Sequence, residues 1–98
     1  MKLDDCRKII DEIDSQILIL LNRRASLSHR IGLMKTGAGL PIVDKSREDT
    51  VIRRLVRENP GDVGDAALTS IYREILEESR RIQHAVAMKV ETKGEPLL

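Results

Sequence analysis

The residues of this 98-residue chain whose types could do chemistry together are Arg24, Lys35, Asp44, Arg47, Glu48, Ser79 and Gln83. Cations, carboxylates, a hydroxyl and an amide suit the gripping of a small anionic ligand by charge-assisted hydrogen bonds rather than attack by a nucleophile. Arg24 carries the strongest signal. Steps of four and three from Cys6 run through Ile10, Ile13, Ile17, Leu20, Arg24, Leu27, Ile31 and Met34, a helical stripe that is apolar except at Arg24. A guanidinium in such a seam is costly to desolvate unless an anion meets it, so the seam holds either a buried carboxylate or a hole for an anionic ligand. Lys35 lies eleven positions after Arg24, about 20° away in helical angle and roughly 16 Å along the axis, so two long side chains could reach the ends of one ligand. Arg7 is seventeen positions before Arg24, about 25 Å away and turned by roughly 100°, so it could join such a site only in a partner chain. His29 and His84 lack ligand spacing with any Cys or acid, and neither metal nor cofactor is expected.

Three helices must position these groups. The run from Leu3 to Lys35 has no proline and one glycine, Gly32, and the two glycines and proline of TGAGLPIV end it. Gly32 inside a helix costs up to about 1 kcal/mol relative to alanine, a sign that another segment approaches closely there. Asp44 is suited to cap a second helix through KSREDTVIRRLVREN, whose inward stripe of Asp44, Glu48, Val51 and Leu55 turns acidic at its N-terminal end. After PGDVGD, Asp65 is suited to cap a third helix from Ala66 to about Lys89, with a seam of Leu68, Tyr72, Ile75, Ser79, Ile82 and Val86. Gln83 projects one turn after Ser79. Residues 1–90 are expected to form one domain, and the aperiodic 91–98 a flexible tail or linker.

Composition narrows the class. Tyr72 is the sole aromatic residue, so the core is built from aliphatic side chains, a mix that favours an all-α fold over a β-sandwich. Charged residues make up 34% of the chain, yet the formal net charge is +1, which argues against nucleic acid or an anionic membrane as partner. No apolar run is long enough to span a bilayer, and the acidic N-terminus does not suit a signal peptide, so the cytoplasm is the expected compartment. Cys6, the single cysteine, falls on the apolar stripe and reads as a small core residue. A first helix of 33 residues spans about 50 Å, whereas a compact chain of this length has a radius of gyration of roughly 13 Å. It must overhang, and two explanations stand: a homodimer of paired or intertwined helices, or a sharp kink at Gly32 or near Arg23 and Arg24.

Each polar residue also has an ordinary explanation when taken alone. Arg24 could snorkel or pair with a core acid, and Lys35 could complement a helix dipole. Asp44, Arg47 and Glu48 could be a cap with a surface ion pair, and Ser79 and Gln83 could join helices by hydrogen bonds. Arg23, Arg30, Arg53, Arg54, Arg57, Arg80 and Arg81 read as solvated faces. The coincidence of polar notches on all three helices is what favours a pocket.

The motifs are specific. LDDCRKIIDEIDSQILILLNRRASLSHRIGLMK, PIVDKSREDTVIRRL and IYREILEESRRIQ together resemble the all-helical AroQ-class chorismate mutases, over residues 3 to about 86. The shared features are L-x-x-x-R near the start of helix 1, L-L-x-x-R and G-x-x-K toward its end, the P-V-x-D-x-x-R-E pattern opening helix 2, met here by PIVDKSRE with Ile42 in place of the valine, and Ser and Gln four apart on helix 3. The resemblance implies three helices per chain in an intertwined homodimer. It makes Arg24, Arg47 and Ser79 contacts for substrate carboxylates and Arg7 the arginine that acts in the partner's site. Lys35 and Gln83 become donors to the ether oxygen, and Asp44 and Glu48 partners of the ring hydroxyl. The implied reaction is the Claisen rearrangement of chorismate to prephenate, in aromatic amino-acid biosynthesis on the shikimate pathway, with Arg24, Lys35 and Gln83 as catalytic residues. Some members carry a glutamate where Gln83 stands, so this chain is expected to work without acid pH. An isochorismate-pyruvate lyase of the same fold would share Arg7, Arg24, Lys35 and Gln83, but Asp44, Ser79 and the GAGLPIVDKSRED segment favour the mutase. A non-catalytic helical dimerisation or regulatory module, whose buried polar groups only fix register, is the reading from a different class.

Overall fold

The computed structural model describes residues 1–93, which form three α-helices: α1 (Leu3–Gly37), α2 (Lys45–Glu58) and α3 (Asp65–Lys93). Both α1 and α2 pack on α3. The Asp5 carboxylate accepts from the Lys2 backbone N–H at 3.0 Å, and Asp4 and Asp5 place negative charge where the helix dipole favours it. At the other end α1 continues two residues beyond Lys35. There the Leu40 N–H donates to the Lys35 carbonyl and the Gly39 N–H to the Thr36 carbonyl, a Schellman turn that Gly39 permits with φ +68°. The Asp44 carboxylate caps α2 by accepting from the Arg47 N–H at 3.0 Å, as the sequence suggests. Asp65, expected as a cap, is instead the first residue of α3. Its carboxylate accepts from Asn59 Nδ2, while the Gly64 carbonyl receives the Leu68 N–H. Helix α3 also runs past Lys89 to Lys93, into the segment expected as tail, the rest of which (94–98) lies outside the described residues.

The α1 helix is unbroken, and the long dimension of 57 Å accommodates its full length of about 52 Å, so the kink is not taken. The radius of gyration is 17.2 Å, above the roughly 13 Å of a compact chain of this size. The overhang leaves apolar surface uncovered. Ile10, Ile13, Ile17 and Leu20 are between 46% and 59% exposed, and Cys6, expected in the core, is exposed as well. The face of α1 that α3 covers is offset from the apolar stripe: its buried residues are Ser28 and Gly32. Among the described residues the buried apolar side chains are Val51, Leu76 and Val86, matched by the polar Ser28, Ser79 and Gln83. The interior of a single chain is therefore as polar as it is apolar.

Gly32 is where α1 and α3 come closest. A Cβ built there would lie 3.0 Å from Gln83 Cα and 3.3 Å from its Cβ and carbonyl oxygen, all atoms of a packed helix that cannot swing aside. Gly32→Ala is therefore expected to lower stability by about 1–3 kcal/mol through overpacking, overriding the helix-propensity gain of up to about 1 kcal/mol. Urea unfolding checks this, and a stabilised variant would contradict the close approach.

Candidate active site

Between the C-terminal half of α1, the start of α2 and the middle of α3 lies a cavity of about 340 Å³, within the range of small-molecule sites. It brings together Arg24, Lys35, Asp44, Arg47, Glu48, Ser79 and Gln83, every residue singled out from the sequence except Arg7. Arg7 lies on the overhanging part of α1. Its guanidinium is 4.0 Å from Asp4 on the same helix and its side chain 68% exposed.

Helical spacing explains the convergence. Arg24, Ser28, Ile31 and Lys35 lie on successive turns of α1, and Leu76, the adjacent Ser79 and Arg80, and Gln83 on successive turns of α3. The Schellman turn reverses the chain so that the Ile42 carbonyl accepts from Lys35 Nζ at 2.8 Å. The Asp44 cap then starts α2 with Arg47 and Glu48 in its first turn, beside the cavity.

The hydrogen bonds leave defined donors free. Lys35 Nζ donates to the Ile42 carbonyl and, at 3.1 Å, to Gln83 Oε1, which occupies two of the three ammonium protons. Because an ammonium only donates, it fixes which end of the Gln83 amide faces it and turns the NH₂ group elsewhere. Ser79 Oγ accepts from Arg24 Nη1 and, at 2.9 Å, from Ser28 Oγ. A hydroxyl has two lone pairs and one proton, so Ser79 retains only its own O–H for a ligand. Among the described residues the Arg47 guanidinium has no hydrogen-bond or ion-pair partner, and of Asp44 only Oδ1 is used by the cap.

Two polar side chains of the lining escaped the sequence reading. Ser28 follows Arg24 by four positions, a spacing that could have revealed it had the polar rather than the apolar register been followed. Arg80, read as solvated, turns toward Glu48 on α2, its Nε lying 3.2 Å from Oε2. Its neighbours Glu78 and Arg81 do face solvent, where the hydrogen bond from Arg81 holds the Glu78 carboxyl below its ordinary range. No group of three or more His, Cys, Asp or Glu side chains among the described residues is placed to hold a metal ion.

The cavity thus carries four cationic side chains against two carboxylates. It offers fixed donors at several points. Such an arrangement is suited to hold an anion of about two negative charges and to meet negative charge at the Lys35–Gln83 end.

Comparison with known proteins identifies the family. The family model for chorismate mutase type II matches residues 6–84. The chain is 32% identical over 97 residues to a chorismate mutase of Methanocaldococcus jannaschii, covering 96% of each. It is 44% identical over 79 residues to a bifunctional chorismate mutase/prephenate dehydratase of Aquifex aeolicus, which covers 76% of this chain but 22% of that relative's length. A solved chorismate mutase from Thermus thermophilus superposes with a TM-score of 0.83 at 32% identity, covering 86% of this chain and 96% of that one.

The shared Ser79 hydroxyl allows a stability test. Ser79→Ala strands the Arg24 guanidinium and the Ser28 hydroxyl together and is expected to cost about 1–3 kcal/mol of unfolding free energy. Ser28→Ala leaves the Arg24 bond in place and is expected to cost less, so equal losses in chemical denaturation would refute the shared-acceptor arrangement.

Proposed function

This chain belongs to the chorismate mutase type II family, and on that premise we propose that it converts chorismate to prephenate in aromatic amino-acid biosynthesis. The rearrangement is a one-molecule pericyclic step: a carbon–oxygen bond breaks as a carbon–carbon bond forms, no proton is transferred and no covalent intermediate arises. Its demands are conformational and electrostatic. The flexible dianion must be held with its reacting carbons together, and negative charge growing on the breaking ether oxygen must be met by donors already in place.

The observation that carries this reading is the Lys35–Gln83 pair. With Gln83 Oε1 occupied by the ammonium at 3.1 Å, the remaining Lys35 proton and the Gln83 NH₂ group are the donors for the ether oxygen. Arg24, Arg47 and the Ser79 O–H hold the two carboxylates, as fork-shaped guanidinium groups do well. Asp44 and Glu48 accept from the ring hydroxyl. The charge excess of the cavity supports a dianionic substrate.

The functional unit proposed is a homodimer in which Arg7 of one chain acts in the site of the other. Its support is the uncovered apolar face of α1, together with an Arg7 guanidinium that leans only on Asp4 of its own helix. The proposed compartment is the cytoplasm, where an exposed free thiol such as Cys6 stays reduced.

The direct test follows the loss of chorismate absorbance on adding protein, with isochorismate offered in parallel. Chorismate decay is expected, with no pyruvate released; pyruvate from isochorismate would favour the lyase, and inertness toward both would favour a dimerisation module. Lys35→Ala and Gln83→Ala are each expected to lower kcat by about 10²–10³-fold. Because the Gln83 amide has no proton to gain or lose in this range, kcat/KM should stay nearly level from pH 6 to pH 8. A steep fall there would contradict its role.

Solution mass is expected at twice 11.1 kDa, and Arg7→Ala should raise KM by about ten- to a hundredfold while the dimer persists. A monomer with full activity would overturn the shared site.

A further inference from the structure

Arg80 is the one charged residue lining the cavity for which neither the sequence motifs nor the proposed chemistry has a use. Among the described residues its contact with Glu48 is the one ion pair that joins two helices; Arg7–Asp4, Arg54–Glu58 and Arg81–Glu78 each lie three or four positions apart on one helix. The pair is also the most sheltered of these, with the Glu48 side chain 21% and the Arg80 side chain 38% exposed. Its geometry is unusual. Nε lies 3.2 Å from Oε2, yet this buried N–H has no aligned hydrogen-bond acceptor, so the guanidinium meets the carboxylate by charge without donating a directed bond from Nε. Glu48 therefore keeps its lone pairs for a ligand.

A carboxylate at this point poses a problem. Glu48 lines a cavity that also holds Arg24, Lys35 and Arg47, and a ligand bearing two carboxylates must come close to it. Uncompensated, it would repel that ligand.

We infer that Arg80 is a positioning and specificity residue: it neutralises Glu48 from the α3 side and holds the carboxylate over the cavity, so that Glu48 accepts from a ligand hydroxyl without repelling the ligand's carboxylates. Arg80 acts through Glu48 and does not itself contact substrate. The inference rests on the reaction proposed above, in which Glu48 accepts from the ring hydroxyl, and it assigns to Arg80 the charge balance that lets a dianion approach that carboxylate.

A double-mutant cycle tests it. Kinetic constants for chorismate are measured in the unaltered protein, Arg80→Leu, Glu48→Gln and the double variant, alongside Arg80→Lys and thermal unfolding of each. Arg80→Leu is expected to raise KM at least about tenfold, because an unpaired carboxylate then faces a dianion, while kcat falls by less than threefold. Glu48→Gln added to Arg80→Leu should recover most of that rise, since no charge remains to repel the ligand. Arg80→Lys, which keeps the charge, should stay within about threefold of the unaltered protein. An equal rise in KM for Arg80→Leu whether or not Glu48→Gln is present would overturn the inference, as would an unchanged KM. Titration of prephenate, a dianion that retains the ring hydroxyl, into the same proteins by calorimetry reads the same pattern in affinity. Failure of the unaltered protein to consume chorismate would count against the proposed reaction alone, and loss of the suppression pattern in both measurements would count against Arg80 alone.

Discussion

Inside the seam between α1 and α3, the Lys35 ammonium donates at 2.8 Å to the Ile42 carbonyl and at 3.1 Å to Gln83 Oε1, and these two acceptors hold a half-buried cation in place. Desolvating a cation is tolerated only when its partners are fixed beforehand. One partner comes from the chain that leaves α1 and the other from α3, so the single nitrogen ties helix, turn and helix together. The Arg24–Ser79–Ser28 group repeats the arrangement three turns earlier on α1. In both places a cation is secured by neutral acceptors rather than by a carboxylate. It is neutralised only in part, and its remaining positive potential is directed at whatever enters the cavity.

The close packing at Gly32 makes that geometry reproducible. With Gln83 Cα about as near as a methyl group could tolerate, α1 and α3 cannot slide without loosening the Lys35–Gln83 hydrogen bond one turn away. Within one chain apolar burial does little of this work, since Val51, Leu76 and Val86 are the buried apolar side chains among the described residues. Backbone proximity and hydrogen bonds carry the alignment instead.

How far the sequence could be read depends on what each signal encodes. Helical periodicity identified three helices, and the Asp44 cap and the breakers after Lys35 located their ends to within a few residues. Periodicity also reported which face of α1 is apolar, but it does not say what covers that face. The stripe from Cys6 to Leu20 is uncovered within one chain, whereas α3 lies over Ser28 and Gly32, a register that small polar residues advertise only weakly. The lining of the cavity was legible because cations and amides that interrupt apolar seams on all three helices at once have few structural uses. Ser28 and Arg80 were not, since serine in a helix and arginine in a charged run have many. Arg7 differs in kind: its distance from Arg24 along one rigid helix follows from helix geometry alone, and its isolation in the structure agrees with that distance.

The Schellman turn at Gly39 has an effect beyond ending a helix. By sending the chain back at a fixed angle it determines where the Ile42 carbonyl arrives, and through that carbonyl how the Lys35 ammonium is aimed. An exposed connector of this kind would ordinarily tolerate insertion or grafting freely. Here its length is tied to the tether it closes and to the two residues, Ile42 and Asp44, that it lends to the cavity wall, so the loop joining the first two helices inherits the constraints of the cavity it borders.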